Sequence, residues 1–426
     1  NIVFASFDNI LRDDFKPYLL KSNDKGKSWT SITGNLPENH TVLTIAQDFV
    51  NPDLLFVGTE FGVFFTLDGG KIWSQMKSGL PTVKVPDIVI QERECDLVVA
   101  TFGRGMYILD NYSPLRELSK PDREKEAFIF PVKDALMFSM DGGYYGQGSN
   151  FFYAPNPAFG ATFTYYLKEV PKTLKELRKE KEQELVEKKE PVPIPSLDEL
   201  RMEENQVQPY LLFTLKDLKG NVIRKMTAAA SAGTSRITWD LRHANSHNVD
   251  LKSDKFDPLS AGGSGILAMP GKYTVSMALV FDGDVKELAG PVEFNAKVLE
   301  NKTLPNPDRS ELVAFQDKVA VLINAVNGAD EFAKEQMKRV QYVKQVVQNT
   351  PSAPLWLMDS ALVVENKLDE VLWAINGQVP KASDEENIPA PPSVKARLGA
   401  IMEASWGNTS VPTQTQRDQY ALLEQE

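Results

Sequence analysis

The sequence is poor in the residues that most often bind metals or act as nucleophiles. Its 426 residues include one cysteine and three histidines. With Cys95 alone, no internal disulfide can form, which fits the cytosol and equally an exported protein without disulfides. No apolar run reaches the roughly 18 residues of a membrane-spanning helix. The formal net charge of −11 argues against nucleic acid and anionic membranes as main partners.

Three features could be read as a metal site, a nucleophile or a phosphate-binding loop, but their sequence context supports none of these. His243 and His247 have the i,i+4 spacing of metal ligands only on a helix, and here they follow a predicted strand in a loop. Cys95 has no neighbouring histidine or base and is predicted to be an inert thiol. The glycine-rich stretch 141–150 lacks the Gly-Lys-Ser/Thr of a phosphate-binding loop and is predicted to be a linker. We therefore predict no metal and no cofactor.

One short string occurs twice. SNDKGKSW (22–29) and TLDGGKIW (66–73) both read Ser/Thr-x-Asp-x-Gly-x-x-Trp, and they start 44 residues apart. A short Asp side chain accepts hydrogen bonds from turn backbone, and glycine supplies a positive φ. The tryptophan restarts a strand and offers a large apolar surface to a neighbour. The pattern thus predicts a structural hairpin turn, built from Ser22, Asp24, Gly26 and Trp29 and again from Thr66, Asp68, Gly70 and Trp73.

A second repeat extends the first. LLFVGTEFGVFFTLD (54–68) matches DLVVATFGRGMYILD (96–110) at an offset of 42 with no gap. A period of about 42–44 residues with four short strands is typical of β-propeller blades. We predict one whole blade over 42–76, one without its first strand over 2–32, and most of a third over 85–110, completed by AFIFPV (127–132). Because a propeller closes with roughly four to eight blades, further blades are expected N-terminal to Asn1, within a longer protein.

The rest of the chain predicts three further regions. Residues 133–160 read as a linker, and 161–305 alternate like the strands of a β-sandwich. That sandwich carries an insertion at 170–207, where 13 of the 19 residues 172–190 are charged. This insertion predicts a solvated helix or helical hairpin arm, with protein binding as the alternative. Residues 306–426 predict four helices that form a helical bundle or long hairpins, from apolar stripes over 312–326, 340–347, 361–375 and 394–401, with a last helix candidate near 414–426.

Together these patterns indicate a mainly β chain with a helical C-terminal region. The two Asp strings resemble the BNR or Asp-box repeat of sialidases, sortilins and related propellers. The order GATFTYYL, a charged insertion, then FTLKDLKGNVIRKM, TSRITWDLRH and MPGKYTVSM resembles the immunoglobulin-like domain of bacterial hook-capping and secreted proteins. The whole run resembles the C-terminal part of large bacterial sortilin-like proteins, often labelled glycosyl hydrolases with BNR repeats. This resemblance implies an exported protein, whose signal peptide lies outside the sequence.

Two functions follow from that resemblance. The first is a non-catalytic binding or scaffold module that presents propeller and immunoglobulin-like surfaces to a protein or peptide, with carbohydrate as a further possible ligand. Here Glu60 and Arg104, in equivalent blade turns, are candidates for lining one propeller mouth. The alternative is a sialidase-type glycoside hydrolase, with most catalytic residues in the N-terminal blades outside this sequence. Candidates for it, by residue type alone, are Arg12, Asp13, Asp14, Glu60, Arg93, Glu94 and Arg104.

Overall fold

The computed structural model describes residues 2–118, 124–138, 146, 148, 150, 154–245, 257–260, 262–299, 309–378, 389–406 and 408–426. His247 and most of the predicted linker at 141–150 lie outside these residues. The chain divides into two compact units. The first comprises Asn1–Pro131, Thr164–Pro171 and Ser231–Arg236, and the second comprises Val132–Phe163, Lys172–Ala230 and Ile237–Glu426.

Helix and strand contribute almost equally, at 31% and 33%. The prediction of a mainly β chain is therefore only partly right, because helices fill most of the C-terminal region. Among the described helices, none combines the length and the apolar character that crossing a membrane requires.

The first unit contains three antiparallel sheets that follow one another along the chain, at the places where the repeats predict strands. In the first sheet the order is β1-β2-β3, in the second β4-β5-β6-β7 and in the third β10-β9-β8. The strands are β1 (Val3–Asn9), β2 (Asp14–Ser22), β3 (Thr30–Ser31), β4 (Val42–Gln47), β5 (Leu55–Thr59), β6 (Gly62–Thr66), β7 (Trp73–Met76), β8 (Asp87–Gln91), β9 (Asp96–Thr101) and β10 (Gly105–Leu109).

Each face of the second sheet is covered by a neighbouring sheet. Leu55 and Val57 of β5 pack with Leu19 of β2 in one buried cluster. Phe56, on the opposite face of the same strand, packs with Leu97 of β9 in another. Side chains alternate between the two faces of a strand, so a strand buried on both faces must be apolar throughout. This explains the continuous apolar run LLFV at 54–57.

A buried ion pair ties the end of this unit to the second sheet. Asp48, just after β4, accepts hydrogen bonds from Arg116 Nε at 2.9 Å and Nη2 at 2.7 Å, and from Tyr112 Oη at 2.6 Å. The backbone amides of Val50 and Asn51 donate to the same carboxylate at 3.0 and 2.6 Å. The guanidinium also lies 4.8 Å from the ring of Phe49. We call Asp48, Tyr112 and Arg116 the Asp48 clamp.

Two details of the repeat differ from the prediction. The strand β11 (Ala127–Ile129) does not complete the third sheet. It pairs antiparallel with β13 (Ala161–Leu167), and Ala127 lies opposite Leu167. The ungapped alignment is also wrong in its second half. Thr59 opposes Gly62 across two turn residues, whereas Thr101 opposes Gly105 across three. The third sheet's turn is thus one residue longer, and β10 matches β6 at an offset of 43.

The second unit contains a five-stranded sheet and the remaining strands. The order is β12-β20-β19-β14-β15, with β12 parallel to β20, and the pairs β20/β19, β19/β14 and β14/β15 antiparallel. Buried rings line its core: Trp239 lies 5.1 Å from Tyr273, and Phe163 lies 5.2 Å from Phe294. The strands are β12 (Ala135–Met137), β14 (Tyr210–Asp217), β15 (Val222–Ala229), β17 (Arg242–Ala244), β18 (Ser264–Leu267), β19 (Gly271–Phe281) and β20 (Asp284–Val298). Of β16 (Gly233–Trp239), the residues from Ile237 onward belong to this unit and the earlier ones to the first.

The charged insertion forms two helices, α1 (Leu174–Glu187) and α2 (Leu197–Asn205). Each begins with a capping box, Thr173 with Glu176 and Ser196 with Glu199, which satisfies free amides at the helix start. Arg178 of α1 holds Glu203 of α2 through Nε at 2.6 Å and Nη2 at 2.9 Å. We call α1 and α2 the helical arm.

Four helices follow: α3 (Ser310–Asn349), α4 (Trp356–Asn376), α5 (Val394–Trp406) and α6 (Gln414–Gln425). The stripes at 312–326 and 340–347, predicted to mark two helices, lie on the single 40-residue helix α3. Between those stripes there is no proline and a single glycine, Gly328. One glycine inside a helix is tolerated, so the helix continues. Its N-terminal half packs Phe315, Val319 and Ile323 against α5 and α6.

Candidate functional site

The two Asp strings form self-bonded turns. Asp24 Oδ1 accepts hydrogen bonds from Ser22 Oγ at 2.8 Å and from the Ser28 amide at 2.9 Å. The Gly26 amide donates to Ser22 Oγ at 2.7 Å, and Gly26 has a φ of 88°. Hydrogen bonds from Ser28 and Ser22 lower the pKa of Asp24 to about 2. Ser28 Oγ also donates to Asp24 Oδ2 at 2.7 Å, so both carboxylate oxygens are engaged in the turn.

The second copy repeats this arrangement. Asp68 Oδ1 accepts from Thr66 Oγ1 at 2.7 Å and from the amides of Lys71 and Ile72, both at 3.0 Å. The Gly70 amide donates to Thr66 Oγ1 at 3.1 Å, with a φ of 102° at Gly70. Burial raises the pKa of Asp68, but the hydrogen bonds outweigh burial and lower it overall.

The two tryptophans of these strings differ. Trp73 is 3% exposed, and its Nε1 donates to the Ile32 carbonyl at 2.9 Å. Asn35 brackets its backbone, accepting from the Trp73 amide at 2.6 Å and donating to the Trp73 carbonyl at 3.1 Å. Both partners belong to the segment that links the first sheet to the second. Trp29, which has no such preceding segment within the described residues, is 41% exposed.

Three equivalent hairpin turns lie at one end of the three sheets. They join β1 to β2 (10–13), β5 to β6 (60–61) and β9 to β10 (102–104), and we call them the turn edge. Hydrogen bonds connect them in series. The Glu60 amide donates to the Thr41 carbonyl at 3.3 Å, and Thr41 Oγ1 donates to the carbonyl of Phe15, just after the first turn. The Phe102 amide donates to the Lys84 carbonyl at 2.9 Å, and Lys84 Nζ lies 2.9 Å from Glu60 Oε1.

Threonines hold the second and third turns in shape. Thr59 Oγ1 donates to the Gly62 carbonyl at 3.0 Å, and Thr101 Oγ1 donates to the Gly105 carbonyl at 2.6 Å. Gln75 Nε2 adds a bond to the Phe61 carbonyl at 3.0 Å. The backbone of these turns is therefore fixed by the sheets beneath it, which favours recognition with little ordering cost.

Each turn presents an apolar side chain beside a charge. Leu11, Phe61 and Phe102 are all exposed. Glu60 is neutralised by Lys84, whereas Arg12 and Arg104 are exposed and make no ion pair with the residues that the structure describes. The structure therefore brings Glu60 and Arg104 to the same edge, with Glu60 engaged and Arg104 available.

His40 adds a polar atom behind Phe61. Its ring lies 5.2 Å from Phe61 and 5.4 Å from Phe64, both edge-on. Its Nδ1 is buried and has no hydrogen-bond partner among the described residues. Burial lowers the pKa of His40, so the neutral imidazole is the stable form near pH 7.

The candidates for glycosidase chemistry are divided between opposite ends of the sheets. Arg12, Asp13 and Asp14 lie at the first turn, where Asp14 accepts from Tyr18 Oη at 2.7 Å and from Asn9 Nδ2 at 3.2 Å. These hydrogen bonds, that from Tyr18 first, lower the pKa of Asp14. Arg93 and Glu94 pair with each other at 3.1 Å between β8 and β9, at the other end of the third sheet. No single site gathers all seven candidates.

The remaining candidates lie elsewhere. Cys95 Sγ faces the Glu92 carbonyl at 3.7 Å and Arg116 Nη2 at 3.8 Å, beside the Asp48 clamp. His243 lies in β17, and burial lowers its pKa. Among the described residues, no group of three or more His, Cys, Asp or Glu side chains could hold a metal ion.

Sequence reasoning placed Phe61 and Phe102 in equivalent turns but did not single them out as candidates, and it missed Leu11 in the first turn. It also missed Lys84 and His40, which contact the turn edge through Glu60 and Phe61. A usable pattern was present for three of them. Large apolar residues occur in predicted turns, where polar and small residues dominate, and they recur at equivalent repeat positions. Lys84 and His40 could not be found this way, because their proximity to Glu60 and Phe61 depends on how successive sheets stack.

No protein-family model and no curated protein sequence matches the chain. Among solved structures, it is similar to two crystal structures of an extracellular domain from B. thetaiotaomicron, assigned to a one-component system in one and to a hybrid two-component system in the other. Both alignments have 12% identity and cover 66% of this chain, with TM-scores of 0.18 and 0.19. They cover 28% of the matched chains, so this chain spans little more than a quarter of their length.

Proposed function

We propose that the protein is a non-catalytic binding module whose turn edge recognises a peptide segment of another protein. The observation that carries this proposal is the series of three turns, two of them braced by threonines, each with an exposed apolar side chain near a charge. Exposed aromatic and aliphatic residues next to an available arginine are typical of protein recognition surfaces. Backbone bracing by Thr59 and Thr101 makes the surface pre-organised.

The side chains at the turn edge favour a particular ligand chemistry. Phe61 and Phe102 offer apolar contact, and Arg12 and Arg104 offer guanidinium groups without a carboxylate partner among the described residues. Glu60 is already paired with Lys84. The favoured ligand is therefore an extended peptide with aromatic or aliphatic side chains and at least one carboxylate.

The architecture around this surface belongs to the same proposal. Residues 1–118 hold the C-terminal blades of a sortilin-like β-propeller. The predicted end of the third blade (127–132) and the predicted linker (133–160) contain β11 and β12, which pair with β13 and β20 of the immunoglobulin-like sandwich (161–305), and a helical region (306–426) follows. Exposure of the outermost sheet faces supports the propeller. Met106 of the third sheet is 75% exposed, whereas Val63, its equivalent in the covered second sheet, is 0% exposed. Further sheets on both sides of the series would bury such residues. The proposed protein is exported.

A peptide-display screen tests the proposal. We expect the protein to select peptides that combine an aromatic or aliphatic residue with Asp or Glu. The double variant Phe61→Ala/Phe102→Ala should weaken their binding by at least about tenfold, because each truncation removes an exposed anchor. Affinity is measured by fluorescence anisotropy with a labelled selected peptide.

Ile72→Ala provides the matched control. Ile72 is also large, apolar and exposed, but it lies in the second Asp turn, at the end of the sheet opposite the turn edge. Its variant should bind the peptide as the unchanged protein does. Equal losses in both variants, or no selected peptide at all, would contradict recognition at the turn edge.

A further inference from the structure

Three charged residues among those that the structure describes are buried, and one of them lacks a partner. Asp48 is held in the Asp48 clamp, and Asp330 pairs with Lys334 at 2.7 Å. Arg309, which directly precedes α3, is 4% exposed. Its Nε is buried without a hydrogen-bond partner, and its guanidinium makes no ion pair with any described residue. A buried charge without a partner is costly, which sets Arg309 apart from the other two.

The position of Arg309 keeps its side chain away from water. Buried residues follow it at intervals of 3, 4, 4 and 3 residues, which is the spacing of one face of a helix. They are Leu312, Gln316, Ala320 and Ile323. On this face, Gln316 Nε2 donates to the Ser405 carbonyl of α5 at 2.7 Å. Arg309 thus belongs to the face of α3 that packs inside the second unit, and burial lowers the pKa of its guanidinium.

The start of α3 gives a second reason to expect an anion at this place. The first amides of a helix have no acceptor within the helix and form the positive end of its dipole. In α3 the first helical hydrogen bond runs from the Val313 amide to the Arg309 carbonyl at 3.0 Å. Arg309 stands at the cap position, but a guanidinium has only donors and cannot accept from the free amides. No described side chain accepts from the amides of Glu311 and Leu312 either.

The acidic residue in the first turn of α3 is already engaged by another cation. Glu311 pairs with Arg417 of α6 at 2.7 Å, so it does not neutralise Arg309. Ser310 and Glu311 are both exposed, which places the start of the helix at the surface of the second unit. An anion from solution can therefore reach a place where a buried cation and the positive end of a long helix meet.

We propose that the start of α3 binds an oxyanion, a phosphate or carboxylate group that accepts hydrogen bonds from the Arg309 guanidinium and from the first amides of the helix. The planar fork of a guanidinium matches two oxygens of either group. Amides and dipole at a helix N-terminus favour the same groups. Side chains on a helix lean towards its N-terminus, which brings the Arg309 guanidinium to these amides. The site lies in the second unit and does not depend on peptide recognition at the turn edge.

Thermal unfolding of the full chain, in buffers of equal ionic strength, tests this proposal. Far-ultraviolet circular dichroism follows the second unit, because all the described α-helices belong to it. The probes are sodium phosphate and sodium acetate, with sodium chloride as the reference. We expect about 20 mM of the bound anion to raise the unfolding temperature by about 2 °C or more, since a ligand of the folded state stabilises it. A shift with phosphate alone assigns the site to phosphate groups, and a shift with acetate assigns it to carboxylates as well.

The variant Arg309→Met removes the charge and keeps a long apolar side chain. In chloride it should unfold at a temperature about 2–4 °C higher than the unchanged protein, because it replaces an unpaired buried cation. It should also lose the shift that phosphate or acetate causes. A lower unfolding temperature of this variant in chloride would show that the guanidinium already has a partner in the folded chain, and the proposal would then be wrong.

The matched control is Arg339→Met, which removes the same charge from the middle of the same helix. Arg339 is exposed and pairs with Glu335 at 2.6 Å, so this variant should keep the anion-dependent shift. A shift that persists in Arg309→Met, or one that Arg339→Met also loses, would reveal a general effect of salt and overturn the proposal. The absence of a shift in the unchanged protein with both anions overturns it as well.

Discussion

Replacing Trp73 by alanine is expected to destabilise the first unit by about 3–5 kcal/mol, the range for truncating a buried tryptophan. Its ring fills the space between the first and second sheets, packed with Leu19, Val57 and Phe64. The variant also leaves the Ile32 carbonyl without the Nε1 donor at 2.9 Å. Hydrogen exchange of the β6 amides reports this local free energy directly.

Trp29→Ala is the matched control, since the residue has the same position in the first Asp string. Because its ring is 41% exposed, its truncation should cost about 1–2 kcal/mol. Similar losses for the two variants would show that the first sheet already holds Trp29 as firmly as the second holds Trp73. In a longer chain with a sheet N-terminal to the first, the cost of Trp29→Ala should approach that of Trp73→Ala.

The second large effect is expected at the Asp48 clamp. Asp48→Ala should destabilise the first unit by about 3–5 kcal/mol, because it removes the buried carboxylate that accepts two hydrogen bonds from the largely buried Arg116 guanidinium. The Asp48 side chain is 0% exposed and that of Arg116 only 16%, so the guanidinium cannot regain full hydration. Tyr112 Oη also loses its acceptor. Denaturant unfolding measures the loss in the free energy of unfolding, and hydrogen exchange of the β4 and β5 amides measures it locally.

Asp330→Ala in the second unit provides the matched comparison. Asp330 is equally buried, but its cations Lys334 and Lys395 are partly exposed and can return to water. Its substitution should therefore cost clearly less than that of Asp48. If the two cost the same, the exposure of the remaining cation does not set the penalty.

The same clamp predicts a pH dependence. Burial raises the pKa of Asp48, but hydrogen bonds from Arg116 and Tyr112 outweigh it and hold the pKa below the usual 3.8. A depressed carboxylate pKa stabilises the folded state above the unfolded value and loses this contribution as the pH falls below it. Stability should drop below about pH 4, and the drop should be smaller in Asp48→Ala. An equal drop in both proteins would place the acid sensitivity elsewhere.

The sequence predicted strands in the first unit well, because apolar alternation and turn residues are local properties. It also indicated that Glu60 and Arg104 occupy equivalent turns, since repeat position alone decides this. It could not predict that Trp29 and Trp73 differ in burial, because burial depends on the neighbouring sheet and not on the string itself. The sequence also did not reveal that the turn before β10 is one residue longer than the turn before β6. A match between similar residues does not show how many residues a turn contains.

The helical region shows a different limit. The apolar stripes at 312–326 and 340–347 indicated helices correctly, but periodicity does not reveal whether two stripes share one helix. Periodicity also does not tell which apolar positions of a helix are buried. Phe332 and Val343 obey helical spacing as well as Val319 does, yet only Val319 is buried.

The two ends of the helical arm lie side by side. The amide of Leu174, at its start, donates to the side chain of Gln206, at its end, at 2.8 Å. Each of its helices carries its own cap, and Arg178 joins them internally. An element with adjoining ends and internal support can be gained, lost or exchanged as a cassette without redrawing the rest of the fold. Residues 173–206 are thus a natural position at which this protein can diversify, or at which a reporter domain can be grafted.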